Sequence, residues 1–419
     1  MKNAFRALRT RNYRLFFTGQ LISLFGTWMQ IIGQSWLVLK LSNSGVAVGI
    51  ATALQFGPTL LFGVWGGLIA DRLNKRRILL LTQSLFLIEA LALGALTVSG
   101  VIELWMVYGF ALVYGLIQVI DIPARQSFVS EMVPESDVMN AVSLNSAVFN
   151  VARTVGSAAA GVVIATVSIA ACFFVNSVSF VGVLVALWLM RESELRRTKP
   201  VGKEKGQIRD GLRYVRSEPD VLLPIVLMGV VSTLGLNFQI VLPMLAKFTF
   251  HGGPTTFGNL TAMMAIGSLI GAMYAATRAK PTRKLLVGSA AAFGALEFAA
   301  AFAPSLTSAY GALFLVGLAG FLFIVVANST VQLSAAPEMR GRAMALFFLV
   351  LLGSTPFGGP LLGWISETWS PRVALGIGGA ASLGASLVVG AFLMSRRRRE
   401  SGAVTEPLVP EEVLAAEAS

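Results

Sequence analysis

The chain is poor in charge, cysteine and histidine, and each shortage excludes a class of protein. Only 13% of its 419 residues are charged, whereas a soluble domain carries about 25%. Cys172 and His251 each occur once, which excludes an intrachain disulfide and a Cys/His metal cluster. The sequence also lacks the Gly-x-x-x-x-Gly-Lys-Ser/Thr loop that binds ATP. We therefore expect no cofactor, no bound metal and no catalytic residue, and the protein is not expected to be an enzyme.

What the sequence has in quantity is apolar side chains, which make up 55% of the chain. A helix that crosses a membrane needs about 20 consecutive apolar residues, and the sequence contains twelve runs of about that length. We place them at residues 13–39, 46–70, 78–98, 102–122, 138–164, 168–190, 220–245, 255–277, 285–303, 305–331, 343–366 and 372–394. The predicted fold is an all-α integral membrane protein with the lipid bilayer as its solvent.

The distribution of basic residues predicts the orientation of these spans. With both termini in the cytoplasm, 29 of the 33 Lys and Arg residues lie on the inner side, three lie in outer loops and Arg153 lies within a span. This asymmetry follows the positive-inside rule. The basic residues are spread over loops, so the net charge of +12 does not indicate a nucleic-acid partner. We expect a monomeric, multi-pass protein of a bacterial inner membrane without a cleaved signal peptide.

The spacing of polar segments predicts two halves. Residues 1–190 and 220–395 each hold six spans, and 191–219 forms a cytoplasmic linker with a short amphipathic helix at Gln207–Ser217. Residues 396–419 end in an acidic stretch that we expect to be disordered.

A spacing repeat supports this division. Gly156 follows Pro134 by 22 residues, and Gly359 follows Pro337 by the same distance. Two parallel six-helix bundles with a binding site between them form a known transporter architecture.

The loop after the second span carries a recognisable motif. Residues 67–77 read GLIADRLNKRR, which resembles the loop 2–3 signature of the major facilitator superfamily. The run DIPARQ at 121–126 and the segment NAVSLNS at 140–146 resemble the branch that contains enterobactin-type siderophore exporters and macrolide-type efflux proteins. Ser157 stands where the antiporter motif of that superfamily has proline.

This resemblance implies a conformational latch. In the superfamily the motif Asp faces the start of helix 11, and the basic residue four positions later pairs with an acid on helix 4. Carried over to this chain, Asp71 faces that helix terminus, whose partial positive charge suits a carboxylate, and Lys75 pairs with Asp121. The expected latch residues are Gly67, Asp71, Arg72, Lys75, Arg76, Asp121 and Arg125.

Polar side chains recur at helical spacing in two spans and indicate faces that avoid lipid. An unpaired amide or hydroxyl in hydrocarbon costs several kcal/mol. We interpret these faces as the lining of a wet cavity for substrate, whereas the alternative is hydrogen bonding that holds helices together. The cavity candidates are Gln20, Ser23, Thr27, Gln30, Gln34, Tyr114, Gln118 and Arg153.

Three carboxylates within spans are candidates for carrying protons. Glu89 and Glu297 lie 12 and 13 residues beyond a basic residue at comparable places in the two halves, and Asp121 lies on the polar face of helix 4. A carboxyl group held away from water favours its neutral form and can therefore carry a proton. Packing without coupling is the alternative for Glu89 and Glu297. Arg153 is a candidate to hold an anionic group of a substrate.

The function that these features favour is secondary active transport by alternating access. The expected activity is proton-coupled export of small amphipathic molecules such as a drug, a siderophore or another metabolite. The alternatives are uptake or antiport of a polar solute, and a membrane receptor or structural protein that does not transport.

Overall fold

A computed structural model of the protein describes residues 5–196, 207–277, 282–336 and 338–403, and these residues form helices and short connections without strands. A short 3-10 turn at Arg6–Arg9 precedes the first half. The helices of the first half are α1 (Arg11–Ser42), α2 (Gly45–Arg72), α3 (Lys75–Val98), α4 (Leu104–Met132), α5 (Val138–Thr166) and α6 (Ile169–Trp188).

The linker and the second half contain more breaks than the first half. The linker helix α7 occupies Gln207–Ser217, the residues predicted for it. The remaining helices are α8 (Pro219–Val230), α9 (Phe238–Met244), α10 (Pro254–Thr277), α11 (Arg283–Ala301), α12 (Leu306–Ser334), α13 (Arg340–Gly353), α14 (Thr355–Thr368) and α15 (Pro371–Ala403).

Two spans of the second half are discontinuous. The seventh span combines α8 and α9 with π-helical turns at Val231–Gly235 and Leu245–Thr249. The eleventh span combines α13 and α14, and the break precedes Pro356 near the start of α14. Proline cannot donate to the preceding turn and its ring crowds that turn, so a helix readily restarts there.

The twelve predicted spans all correspond to helical segments. Among the described residues, eleven segments are long and apolar enough to cross a membrane. The remaining span, α5, is a helix of 29 residues whose apolar part is Val151–Thr166. One detail differs, because α15 stays helical to Ala403 although disorder was predicted from residue 396. Helix growth is easier than nucleation, and the arginines that end this span are good helix formers.

The helices pack into two bundles that touch along two seams. In the first half α1 packs on α5 and α6, and α3 packs on α4 and α6; in the second half α10 packs on α12, and α11 on α12 and α15. Across the halves α2 packs on α14 and α5 packs on α10. We call the side that carries α7 the linker face and the other side the opposite face.

Candidate functional site

A cavity of about 190 Å³ lies between the two halves. Its walls come from α1 and α5 of the first half and from the seventh span, α10, α11 and α12 of the second half. Five aromatic side chains contribute to these walls, namely Trp28, Phe238, Phe257, Phe293 and Phe321. The cavity is thus mostly apolar and is shared by both bundles, as a substrate site in a two-bundle transporter should be.

Arg153 contributes a positive charge to the wall of this cavity. Among the described residues that line it, Arg153 is the charged one. Its guanidinium lies 5.9 Å from the centre of the Trp28 ring, and Trp28 packs edge-on against Phe149 with ring centres 5.6 Å apart. The Nε and Nη2 atoms of Arg153 are buried, and no described residue offers them a hydrogen-bond acceptor. Sequence analysis predicted that Arg153 faces a central cavity, and the structure places Arg153 in the wall of one.

The halves are closed at the opposite face by contacts between glycines. A Cβ atom on Gly45 would lie 2.5 Å from the carbonyl oxygen of Gly363, and one on Gly49 would lie 2.6 Å from that of Gly359. On the second seam, a Cβ atom on Gly258 would lie 2.8 Å from the carbonyl oxygen of Ser157. Backbones can approach this closely only where side chains are absent, so these glycines set the fit between the bundles.

Hydrogen bonds reinforce the same closure. Lys247 Nζ donates to Asn43 Oδ1 at 2.6 Å and to the Leu39 carbonyl at 3.1 Å. Ser44 Oγ donates to Glu367 at 2.5 Å, and the Val46 amide donates to the same carboxylate at 3.2 Å. The contact of α2 with the eleventh span is concentrated on α14 and thins toward α13 at the linker face. The structure is therefore a conformation closed at the opposite face.

The expected pairing of Lys75 with Asp121 is wrong. Lys75 Nζ lies 2.5 Å from Glu131 Oε1, and both side chains are buried. Lys75 begins α3 at the linker face, and Glu131 lies in the last turn of α4 at the same depth. Asp121 is ten residues earlier on α4, about 15 Å deeper along the helix axis. Comparing the two spans for depth would have identified Glu131 from the sequence.

The other motif residues at the linker face have varied surroundings. Arg76 donates to the carbonyl oxygens of Leu187 and Trp188 at the end of α6, at 2.8 and 3.1 Å, and also pairs with Glu192. This arginine therefore satisfies carbonyl groups that a helix end leaves unpaired. Arg72 is exposed and Gly67 is half-buried, and the side chain of Asp71 lies outside the described residues.

Asp121 belongs to a buried polar cluster within the first half. Its carboxylate accepts hydrogen bonds from Thr82 Oγ1 at 2.7 Å and Gln83 Nε2 at 2.9 Å. Arg125 Nη2 lies 2.6 Å from the other oxygen, and Arg125 also donates to Gln20 Oε1 at 3.3 Å. The cluster joins α1, α3 and α4, so Asp121, Arg125 and Gln20 stabilise one bundle.

Glu89 is likewise satisfied by neighbouring helices. Gln30 Nε2 donates to its carboxylate at 3.0 and 3.3 Å, and Asn176 Nδ2 donates to Gln30 Oε1 at 2.8 Å. Gln30 is therefore buried between α1, α3 and α6 and does not face the central cavity.

Glu297 has a different environment in the second half. Its Oε2 atom is buried and has no hydrogen-bond partner among the described residues, and the same holds for the hydroxyl of Ser382. A Cβ atom on Gly235 would lie 3.0 Å from Oε2, and one on Gly378 would lie 2.9 Å from Oε1. The carboxyl group therefore occupies a crevice between a π-helical turn of the seventh span and α15.

The remaining cavity candidates divide between a side crevice and the bundle interior. Gln34 faces a small crevice between α1 and α2, which shares Ile31 and Ser35 with the central cavity. Tyr114 packs on Phe86 with ring centres 4.8 Å apart and is hydrogen-bonded to Gln118. Ser23 is buried and Thr27 is half-buried, and neither lines the central cavity.

Sequence analysis did not single out the aromatic side chains of the cavity wall. Phe238 and Phe293 meet edge-on with ring centres 6.3 Å apart. Their signal in the sequence is weak, because no periodicity separates a cavity wall from a lipid-facing side.

Comparison with known proteins agrees with this architecture. The model of the family described as "Transmembrane secretion effector" matches residues 2–417, so the chain belongs to this family of major facilitator transporters. It is 27% identical to the staphyloferrin A transporter of Staphylococcus aureus over 260 residues, a match that spans 61% of this chain and 65% of that protein. It is 26% identical to the multidrug efflux pump Tap of Mycolicibacterium fortuitum, with 82% of this chain and 86% of that protein covered.

Solved structures show the same fold at lower identity. A bacterial homologue of the human lysosomal transporter Spinster, in an inward-facing and unoccupied conformation, superposes with a TM-score of 0.67 at 16% identity, covering 92% of this chain and 96% of that one. The nucleoside transporter NupG gives 0.68 at 14% identity, with coverage of 92% and 99%. The protein is thus a multi-pass membrane transporter with the major facilitator fold.

Proposed function

We propose that this transporter exports small amphipathic molecules from the cytoplasm and couples export to proton entry. The observation that carries the proposal is the aromatic cavity between two bundles that are closed at the opposite face. Relatives described as a staphyloferrin A transporter and a multidrug efflux pump support a small-molecule substrate. The basic residues concentrated on the linker face support cytoplasmic termini.

Alternating access follows from how the seams are built. The glycine contacts at the opposite face hold by close backbone packing, and the few polar bonds there are near the surface. A latch at the linker face, with Asp71 against the start of α13, would form when that face closes. Two competing sets of contacts make the molecule bistable, which is what transport across a membrane requires.

Among the three candidate carboxylates, Glu297 has the surroundings best suited to proton exchange. Glu89 and Asp121 have hydrogen-bond partners that hold them in place, whereas Glu297 Oε2 has none. Its described neighbours Gly235, Gly378 and Ser382 are uncharged. A change of charge there would act directly on the π-helical turn that precedes the cavity residues Leu236 and Phe238.

The proposal is tested with purified transporter in proteoliposomes that contain a pH indicator. Adding amphipathic compounds of positive, negative and zero charge should produce a compound-dependent pH change for at least one of them. The matched control carries paired cysteines at the linker-face ends of α4 and α12, and a confirmed crosslink there should stop the signal. If the signal persists in the crosslinked protein, rocking of the two halves is not the mechanism.

Movement of a compound without any pH change would support the transport function and contradict proton coupling. Absence of movement for every compound, with correctly inserted protein, would remove the export function itself.

A further inference from the structure

The central cavity combines an aromatic wall with one cationic side chain, and two nitrogen atoms of that side chain have no hydrogen-bond acceptor among the described residues. Arg153 Nε and Nη2 are buried and lack acceptors. A buried guanidinium without a counter-charge is costly, because its solvation by water is lost and nothing replaces it. Arg153 is thus unlike Arg125, which reaches Asp121 at 2.6 Å on the same half.

The surroundings keep this guanidinium available to a ligand. The Trp28 ring lies 5.9 Å from it and fixes its position by a cation–π contact. Phe149 supports Trp28 from the side. No carboxylate occurs among the described residues that line the cavity, so a cationic ligand would meet repulsion there without any compensating charge.

The far wall of the cavity fits the apolar part of a ligand. Phe238, Phe257, Phe293 and Phe321 belong to the second half, and the hydroxyl groups of Thr261 and Ser268 add weakly polar positions. A dry apolar cavity of about 150 Å³ can hold benzene, so about 190 Å³ suits a body of one or two rings.

We propose that the cavity is a binding site for amphipathic anions, in which Arg153 holds a carboxylate or sulfonate and the aromatic wall holds a flat apolar body. Arginine pairs with such planar or multi-oxygen anions through two parallel N–H bonds. This assignment names the substrate class of the proposed exporter and rests on that function only for the transport step. Because Arg153 belongs to the first half and the phenylalanines to the second, one anion would bridge both bundles.

The test compares two probes that share a ring system and carry opposite permanent charges. Naphthalene-2-sulfonate and naphthalen-2-yl-trimethylammonium are titrated calorimetrically into the full-length transporter in lipid nanodiscs. We expect the sulfonate to bind at least about tenfold more tightly than the ammonium probe. Equal affinities, preference for the ammonium probe, or no sulfonate binding at millimolar concentration would overturn the assignment without any variant.

Variants then locate the charge. Arg153→Gln should weaken sulfonate binding at least about tenfold, and Arg153→Lys should retain part of the affinity since it keeps the charge but loses the fork. The matched control is Arg372→Gln, which removes an arginine that bonds to the carbonyl groups of Ala301 and Ala303 at the opposite face. Undiminished sulfonate binding in folded Arg153→Gln protein contradicts the proposal.

Transport is measured separately, so that the two proposals can fail independently. If the sulfonate binds through Arg153 but is not moved across proteoliposomes, the anion site stands and the export function falls. If compounds are exported but sulfonate binding does not depend on Arg153, the export function stands and the anion site falls.

Discussion

The two halves each place a buried carboxyl group at a matching position, but the two groups differ in their hydrogen bonding. Glu89 on α3 accepts two hydrogen bonds from Gln30, and Asn176 holds Gln30 in turn. Glu297 on α11 is equally buried, and its Oε2 atom has no partner. Burial alone therefore does not distinguish a structural from a functional acid within the membrane. The hydrogen bonds of Glu89 fit a structural role, whereas the Oε2 atom of Glu297, which has no described partner and lies next to a helix break, is the basis for proposing a functional one.

The helix partners explain why the halves diverge. In the first half α1 is continuous and supplies a glutamine at the depth of Glu89. In the second half the seventh span turns π-helical at Val231–Gly235 and presents Gly235 to Glu297. Such π turns are frequent at functional sites, and here the turn connects the carboxyl group to the cavity wall.

The strongest test of this comparison replaces each of the two acids by its amide. Glu297→Gln should lower uphill export driven by a pH gradient by at least about tenfold, because glutamine keeps the shape but cannot carry a proton. Downhill exchange should survive since the cavity is intact. Glu89→Gln is the matched control and should stay within about twofold of wild type. Initial rates in proteoliposomes with and without a pH gradient measure both, and uphill export by Glu297→Gln at wild-type rates would contradict the assignment.

The ion pairs at the linker face differ between the halves in burial. Lys75 and Glu131 are buried, whereas Arg283 and Asp220 are about half exposed at 2.7 Å. Lys75→Met should lower the free energy of unfolding by about 3 kcal/mol, while Arg283→Met should change it by about 0.5 kcal/mol because water screens that pair. Unfolding by SDS titration in mixed micelles compares them, and equal losses would show that burial does not distinguish the pairs.

If the hydrogen bonds that join Glu89, Gln30 and Asn176 stabilise the first half, removing Gln30 should destabilise the protein. Gln30→Leu deprives both Glu89 and Asn176 of a hydrogen-bond partner and should cost about 2 kcal/mol of unfolding free energy. Ser382→Ala in the second half removes a hydroxyl that bonds to no described group, and it should change stability by less than about 0.5 kcal/mol. The same SDS titration serves, and a larger loss in Ser382→Ala than in Gln30→Leu reverses the interpretation.

The smallest expected effect on transport comes from replacing Asp71, an acid with no counterpart in the corresponding loop of the second half. Asp71 lies in the last turn of α2, whereas the loop over residues 277–284 contains no acid. If the proposed latch forms, Asp71→Asn should shift the balance between conformations by about 1 kcal/mol, because asparagine lacks the charge that would interact with the α13 terminus. Transport should then fall a few-fold. The matched control is Asp210→Asn on the exposed face of α7. Transport by Asp71→Asn at the wild-type rate, with equal amounts of protein in the membrane, would refute the latch.

The membrane class, the twelve spans, the linker helix and the family were all predictable from the sequence. These properties follow from length, hydrophobicity and a short motif, and each is local along the chain. Hydrocarbon leaves the backbone no alternative to helices, so apolar runs of sufficient length are enough to predict them. Even Arg153 was a sound candidate, because a lone charge inside a span needs a polar or functional environment.

Tertiary structure decided which polar residues meet. Gln30 and Gln34 belong to one polar stripe, yet Gln30 turns to α3 and α6 while Gln34 faces a crevice beside the cavity. Lys75 pairs with Glu131 and not with Asp121. Glu131 lies at the same depth in the bundle as Lys75, whereas the pairing with Asp121 was carried over from the family motif. Helical periodicity gives the face of a residue but not its neighbour, which depends on rotation and crossing of helices far apart in sequence. For the same physical reason, only the folded chain shows that Glu89 is bonded and that Glu297 Oε2 is not.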